Sequence, residues 1–148
     1  MRWNDLENEA CPVARGLSVV GDRWTLLVLR DCFRGLKRFD DIHSSLGITR
    51  HVLSDRLKRL ESTGVLDRKQ YSDAPPRFEY HLTDKGRALY PIMVSLVGWA
   101  ETHQPHPDTA RYIYRDRETG RILDPVLVDR ATGDPIDARG VTAQREDA

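Results

Sequence analysis

The sequence predicts a mainly helical α+β fold, with helices gathered around one β-hairpin and a second, smaller β unit near the C-terminus. Three observations carry that expectation. Between Arg38 and Ser62, two amphipathic helical patterns meet at a hinge, Leu46-Gly47-Ile48. Directly afterwards come two alternating segments separated by the turn cluster Ser72-Asp73-Ala74-Pro75-Pro76. From His103 onward the composition changes, and a short motif, Asp-Arg-x-Thr-Gly, occurs twice thirteen residues apart.

A chain of 148 residues, 39% hydrophobic and 31% charged, suits one soluble domain with an appendage. Its apolar stretches are too short to span a bilayer, and Met1-Arg2-Trp3-Asn4-Asp5 opens no apolar signal segment. The expected address is the cytoplasm, with no membrane partner. Cys11 and Cys32 form no spaced cluster, so neither a disulfide framework nor a cysteine metal site is expected, and no cofactor is implied. The zero net charge is unevenly spread: residues 1–33 carry −1, 34–70 carry +4, 71–114 carry −1 and 115–148 carry −2. Positive charge on and beside the hinged helices favours a local phosphate-binding face on a neutral body. Such a face makes few contacts, so tight binding calls for a dimer.

Residues 1–10 are polar and read as a flexible N-terminus, ahead of a main domain over 11–102. Cys11 falls near the N-cap of a helix with Pro12 at its first position, running to about Val20 and stopped by Gly21. Asp22 caps the next helix, Arg23 to Phe33. Its Trp24, Leu26, Leu27, Val28 and Leu29 are apolar almost all round, so it is expected to be buried, with Cys32 as a small inert core residue.

In the first hinged helix Phe39, Ile42, His43 and Leu46 recur at helical spacing, and Gly47 ends the pattern by tolerating a left-handed conformation. Thr49 is a good N-cap for the second, whose Leu53, Leu57 and Leu60 share one face and must point into a core. At 100° per residue the opposite face then carries His51, Asp55 and Lys58, with Ser54 and Arg59 flanking and Arg50 on the first turn. Two helices on a tight glycine turn, the second polar and cationic outside, have the geometry of a recognition helix for a DNA major groove. On these residues alone, an ordinary helical hairpin is the competing reading.

Gly64 ends that helix, and Val65 to Tyr71 with Arg77 to Leu82 form the expected hairpin. A hairpin in this position is a wing, with Arg68, Lys69 and Arg77 placed to meet backbone or minor groove; a structural hairpin with solvated charges is the plainer alternative. Thr83 caps a helix to about Thr102 with a stripe of Leu89, Ile92, Met93, Leu96, Trp99 and Ala100, widened by Tyr90, Val94 and Val97. That is more apolar width than one small domain requires, and implies a subunit interface built on Leu89, Ile92, Met93, Leu96 and Trp99. Pro91 should kink this helix or mark an irregular start. Residues 103–110 read as a linker, 111–141 as a small ribbon-like β extension with a turn at each repeat, and 142–148 as a disordered tail.

Several motifs recur in a telling order: Cys11-Pro12-Val13, Gly21-Asp22-Arg23-Trp24-Thr25-Leu26-Leu27, Leu53-Ser54-Asp55-Arg56-Leu57 and Gly64-Val65-Leu66. Pro76-Arg77-Phe78-Glu79-Tyr80 and Leu82-Thr83-Asp84-Lys85-Gly86 follow. From about Cys11 to Trp99 the chain closely resembles the HxlR family of bacterial winged helix-turn-helix transcription regulators. The resemblance implies a homodimer joined through its terminal helices, with two recognition helices on a pseudo-palindromic operator in double-stranded DNA. It implies Thr49, Arg50, His51 and Ser54 near bases, Arg56 and Lys58 near phosphates, and Arg77 on the wing. Some members resembling this chain sense oxidants or electrophiles through the cysteine at the position of Cys11. Here a helix N-terminus, with Arg15 one turn on, favours an anionic sulfur. Some members also end in a ribbon with paired Cys-x-x-Cys-Gly knuckles, where this chain has Asp116-x-x-Thr119-Gly120 and Asp129-x-x-Thr132-Gly133. Carboxylates and hydroxyls are poor ligands for structural zinc, so a ribbon without metal is expected.

The leading function is a non-catalytic dimeric DNA-binding regulator, most often a repressor, answering to a small molecule or to thiol oxidation. A thiol-dependent redox enzyme is weakened by the lack of a histidine near Cys11 in sequence or a Cys-x-x-Cys partner. A winged-helix module turned to protein or ligand binding is the third class.

Overall fold

The computed structural model describes residues 3–107 and 111–144. The chain divides into two compact units, Met1–Met93 and Val94–Ala148.

In the first unit, helices α1 (Pro12–Val20), α2 (Thr25–Phe33), α3 (Phe39–Leu46) and α4 (Arg50–Ser62) precede a hairpin of β1 (Leu66–Asp73) and β2 (Pro76–Leu82). Within the segment expected to be flexible, Trp3–Asn8 is a 3-10 helix, and Leu6 is buried. The Arg15 guanidinium turns back to donate to the carbonyls of Glu9 and Ala10 at 2.9 and 2.7 Å, which ties this segment to α1. Cys11 stands at the N-cap and Pro12 in the first turn, where its missing N–H costs nothing.

The core is made by one face of each element: Val28 and Leu29 from α2, Ile42 from α3, Leu53, Leu57 and Leu60 from α4, and Val65 and Leu66 leading into the hairpin. Gly47 closes α3 at φ +63°, a conformation that excludes most side chains, and Ile48 plugs into the core before α4 begins. The hairpin pairs Leu66 with Leu82, Arg68 with Tyr80 and Gln70 with Phe78, with a bulge between Gln70 and Ser72. A third extended segment was not expected. Tyr80 N–H donates to the Lys37 carbonyl at 2.7 Å and Arg38 bridges Glu79, so the residues before α3 line the outer edge of β2.

The helix expected from Thr83 to Thr102 is two helices. The short α5 (Asp84–Arg87) is followed by a turn and then by α6 (Tyr90–His103), with Pro91 in its first turn, so the irregular start foreseen at that proline is present. The motif before it closes three backbone ends at once. Thr83 Oγ1 accepts from Gly86 N–H at 3.0 Å and donates to the Gly64 carbonyl at 2.6 Å, while Lys85 Nζ donates to the Thr63 carbonyl at 2.7 Å. Gly86 lies so close to the chain that a Cβ there would stand 2.2 Å from the Val65 carbonyl oxygen. Only glycine fits.

The second unit continues α6 into two small hairpins. Strands β3 (Tyr114–Arg115) and β4 (Ile122–Leu123) pair around the first repeat, and Val128 bridges Pro135 around the second. The repeats are structural equivalents: Asp116 Oδ1 accepts the amides of Glu118 and Thr119, and Asp129 Oδ1 those of Ala131 and Thr132. Gly120 and Gly133 take φ values of +70° and +78°. Of the tail expected beyond residue 141, residues 145–148 lie outside the described residues.

Asp22 links α2 to the rest of the first unit. It lies before α2, where its Oδ1 accepts the amides of Trp24 and Thr25 at 2.9 and 3.1 Å and its Oδ2 accepts the Thr25 hydroxyl. Arg56 of α4 reaches the same carboxylate at 3.4 Å. Burial alone would raise this carboxyl, but the bonds from Thr25 and Trp24, with the Arg56 charge, outweigh it and hold the group below its ordinary range. Asp22→Ala should therefore lower stability at pH 7 by about 1–2 kcal/mol. A carboxyl lowered in the folded state contributes fully above its unfolded pKa, near 4, and loses that contribution as pH falls through the folded value. Urea unfolding from pH 7 to pH 3 should show the gap between parent and variant closing in acid.

Candidate nucleic-acid interface

The outward face of α4 follows from its inward one. Leu53, Leu57 and Leu60 have no exposed surface, so the helix has a single rotational setting. Thr49 caps it, its hydroxyl oxygen accepting the Val52 amide at 3.3 Å. Arg50 and His51 on the first turn and Lys58 two turns on are exposed, and Ser54 is half-buried between them. His51 lies 3.3 Å from Asp55, one turn further along the same face.

The other two cations of α4 are turned to structural work. Arg56, expected near phosphates, is turned toward the fold. Its side chain is only 31% exposed and meets Asp22, and its Nε is buried. At 60° from the leucine seam it lies on the flank facing α2, where a long side chain reaches back into the fold. Arg59, further round on the same side, donates through Nε and Nη2 to the Ser18 carbonyl at 3.2 and 2.6 Å, near the end of α1. The last carbonyls of a helix carry partial negative charge, which suits a guanidinium.

On the wing, strand alternation separates the expected cations. Arg68 pairs in register with Tyr80, lies over the Phe78 ring at 4.4 Å and reaches Glu61 of α4 at 3.5 Å. Lys69 and Arg77 fall on the opposite face, because Lys69 pairs with Glu79 and Arg77 precedes it by two in β2. Lys69 stands 3.8 Å from Asp67, and Arg77 is exposed near the tip. A cation missed from the sequence joins them: Arg38, over the Tyr71 ring at 4.7 Å and 3.3 Å from Glu79. Its signal was its place just before α3, which reads as a helix end and not as an edge strand. Arg38 and Arg77 line an open cleft of about 450 Å³ between α3 and the wing, but Asp40 and Asp41 share it, so it is not a simple anion pocket.

The resulting surface is a helix with polar side chains facing out, flanked by a hairpin with cations near its tip. The HxlR-like helix-turn-helix family model matches residues 19–108, which contain all of it. The chain belongs to the HxlR-like helix-turn-helix family. This HxlR-like protein is 42% identical over 146 residues to the uncharacterized HTH-type transcriptional regulator Rv3095 of Mycobacterium tuberculosis, covering 97% of this chain and 92% of that one. The crystal structure of PA1607 superposes with a TM-score of 0.85 at 36% identity, covering 95% of this chain and 98% of the other. The redox regulator HypR in its reduced form matches with a TM-score of 0.60 at 34% identity, over 64% of this chain and 94% of that one. The fold is thus a winged helix-turn-helix and the protein a DNA-binding transcriptional regulator. Among the described residues, no helix is long and apolar enough to cross a membrane.

Lys58, exposed, and Arg56, held at Asp22, carry the same expectation in different surroundings and give a direct test. Lys58→Ala should leave unfolding unchanged and reduce the slope of log affinity against log salt by about one. Arg56→Ala should instead lower stability by about 1–3 kcal/mol while leaving that salt slope as in the parent. Titrations at several salt concentrations, with urea unfolding alongside, read both.

Proposed function

We propose that this HxlR-like protein is a homodimeric, sequence-specific repressor acting in the cytoplasm, which places one α4 from each protomer on the two halves of a pseudo-palindromic operator. The observation that carries this is the fixed rotation of α4, which leaves Arg50, His51 and Lys58 exposed, with Thr49 exposed at the N-cap and Ser54 half-buried between them. Lys69 and Arg77 of the wing hold flanking phosphates. One protomer offers few such contacts, so affinity depends on two.

The dimer is held by α6 with the N-terminal helix. Ile92, Leu96 and Trp99 remain 49%, 44% and 55% exposed, as do Val13 and Leu17 of α1 at 69% and 43%. Large apolar side chains exposed in this number support an association surface. Leu89 and Met93 contribute less to it than the stripe suggests, since Leu89 packs on the core and Met93 is buried.

Operator binding answers to oxidation of Cys11 or to a small-molecule effector. Cys11 is exposed at the start of α1, while Cys32 is buried. Burial, then the neighbouring Asp31 carboxylate, pushes the Cys32 thiol up to about 12, so at neutral pH it is an unreactive thiol. The likeness to HypR, a redox regulator with solved reduced and oxidized forms, supports the thiol route. No second reactive thiol stands among the described residues to run a dithiol redox cycle, which disfavours a redox enzyme.

Two measurements test this reading. Leu96→Glu should yield monomers or aggregate in sedimentation and lose operator binding; a parent that sediments as a folded monomer at micromolar concentration sinks the dimer. Mild peroxide or diamide should release the parent from DNA in gel shifts, with reductant restoring binding. Cys11→Ser should be insensitive while Cys32→Ser still responds, and equal oxidative loss in Cys11→Ser and the parent removes Cys11 as the switch.

A further inference from the structure

Arg50 stands on the first turn of α4, at the end of the helix where recognition side chains meet base edges. Its guanidinium is held twice by the preceding helix. Nη1 donates to Asp40 Oδ1 at 2.8 Å, and Cζ lies over the Phe39 ring at 4.6 Å from the centroid. Both partners belong to the first turn of α3, and Phe39 is itself packed on the core, which fixes the ring side of the platform. The guanidinium has five N–H groups, and the bond to Asp40 engages Nη1 alone.

We propose that Asp40 and Phe39 are positioning residues for Arg50, fixing its guanidinium to read one base pair, so that Asp40 sets sequence preference at that position. This deepens the DNA-reading proposal above and rests on it. The alternatives explain the carboxylate less well. The Arg50 and Asp40 side chains are 64% and 78% exposed, and an ion pair so open to water contributes little to folding. A carboxylate beside a DNA-reading face also repels phosphate and weakens binding to every sequence. Its presence makes sense if it improves discrimination. A long free arginine loses much rotamer freedom on binding and can settle on several acceptors. One already held between a carboxylate and a ring face offers its remaining N–H groups in a single direction, which suits the paired acceptors of a guanine edge.

The test selects sequences from a pool of duplex DNA with a randomised core, using full-length parent, Asp40→Asn, Arg50→Ala and the double variant, and measures affinity for unselected duplex. Arg50→Ala should flatten preference at one base pair of each half-site. Asp40→Asn should flatten the same base pair, losing roughly three- to tenfold in discrimination, while its affinity for unselected duplex is unchanged or higher. In the Arg50→Ala background Asp40→Asn should alter preference nowhere, and Asp40→Glu should regain part of the loss. Asp40→Asn with the parent's preference, or with losses at positions that Arg50→Ala leaves intact, overturns the positioning role even when Arg50 proves to read a base. If Arg50→Ala changes no preference, Arg50 reads no base and the positioning role falls with that assignment. If the parent selects no sequence at all, the operator-reading proposal fails first.

Discussion

Burial of Leu53, Leu57 and Leu60 is the constraint on which the rest of the structure depends. Three fully buried leucines on one side of α4 represent about 1.5–3 kcal/mol each of transfer free energy, and rotating the helix by even one residue would expose them. Every other side chain of α4 is thereby assigned a direction. Its cations then fall into two classes by what they reach. Arg56 and Arg59, about 60° and 120° round on the same side of the seam, reach Asp22 and the Ser18 carbonyl. Arg50 and Lys58 are left facing outward.

The two flanking arginines then make the rotation harder to lose. Arg56 joins α4 to Asp22 just before α2, and Arg59 joins it to the end of α1, so the recognition helix is pinned at the ends of two earlier helices by charge-assisted bonds. Lys85 caps its far end at Thr63, and Thr83 fastens the following loop at Gly64. Part of the positive charge of α4 is thus spent on a backbone carbonyl and on Asp22. The positive charge left exposed on α4 is correspondingly modest.

What could be read beforehand was whatever depended on periodicity and on glycine. The leucine seam, the Gly47 hinge, the Thr49 cap and the hairpin all follow from local pattern, and the structure has them within a residue or two. What could not be read depended on long side chains and distant backbone. Arg56 and Arg59 are indistinguishable from solvated arginines until their partners, 34 and 41 positions away in sequence, are folded beside them. The edge pairing of Lys37 and Arg38 with β2 has no alternation to announce it. The 3-10 helix at the start was hidden because its short, mostly polar sequence carries no helical periodicity, although Leu6 is buried. Strand parity did foretell that Arg68 and Lys69 point apart, but treating the wing cations as one group concealed it.

The C-terminal repeats show how a local bond can do a job elsewhere given to a metal. Each loop needs its ends held while the chain reverses through a residue at positive φ, and a thiolate-bound ion would hold them from outside. Here the first residue of each loop turns its own carboxylate onto the amides that follow, and the glycine amide closes the turn by donating to the carbonyl of Asp116 or Asp129 at 2.9 or 2.8 Å. The Thr119 amide and hydroxyl, acting against slight desolvation, hold the Asp116 carboxyl below its ordinary range, which marks the charged form as the one the loop is built around. With Asp116 and Asp129 bonded through Oδ1 to the amides of their own loops, each turn is held by hydrogen bonds among its own residues, and the two repeats reach the same geometry from the same residue types.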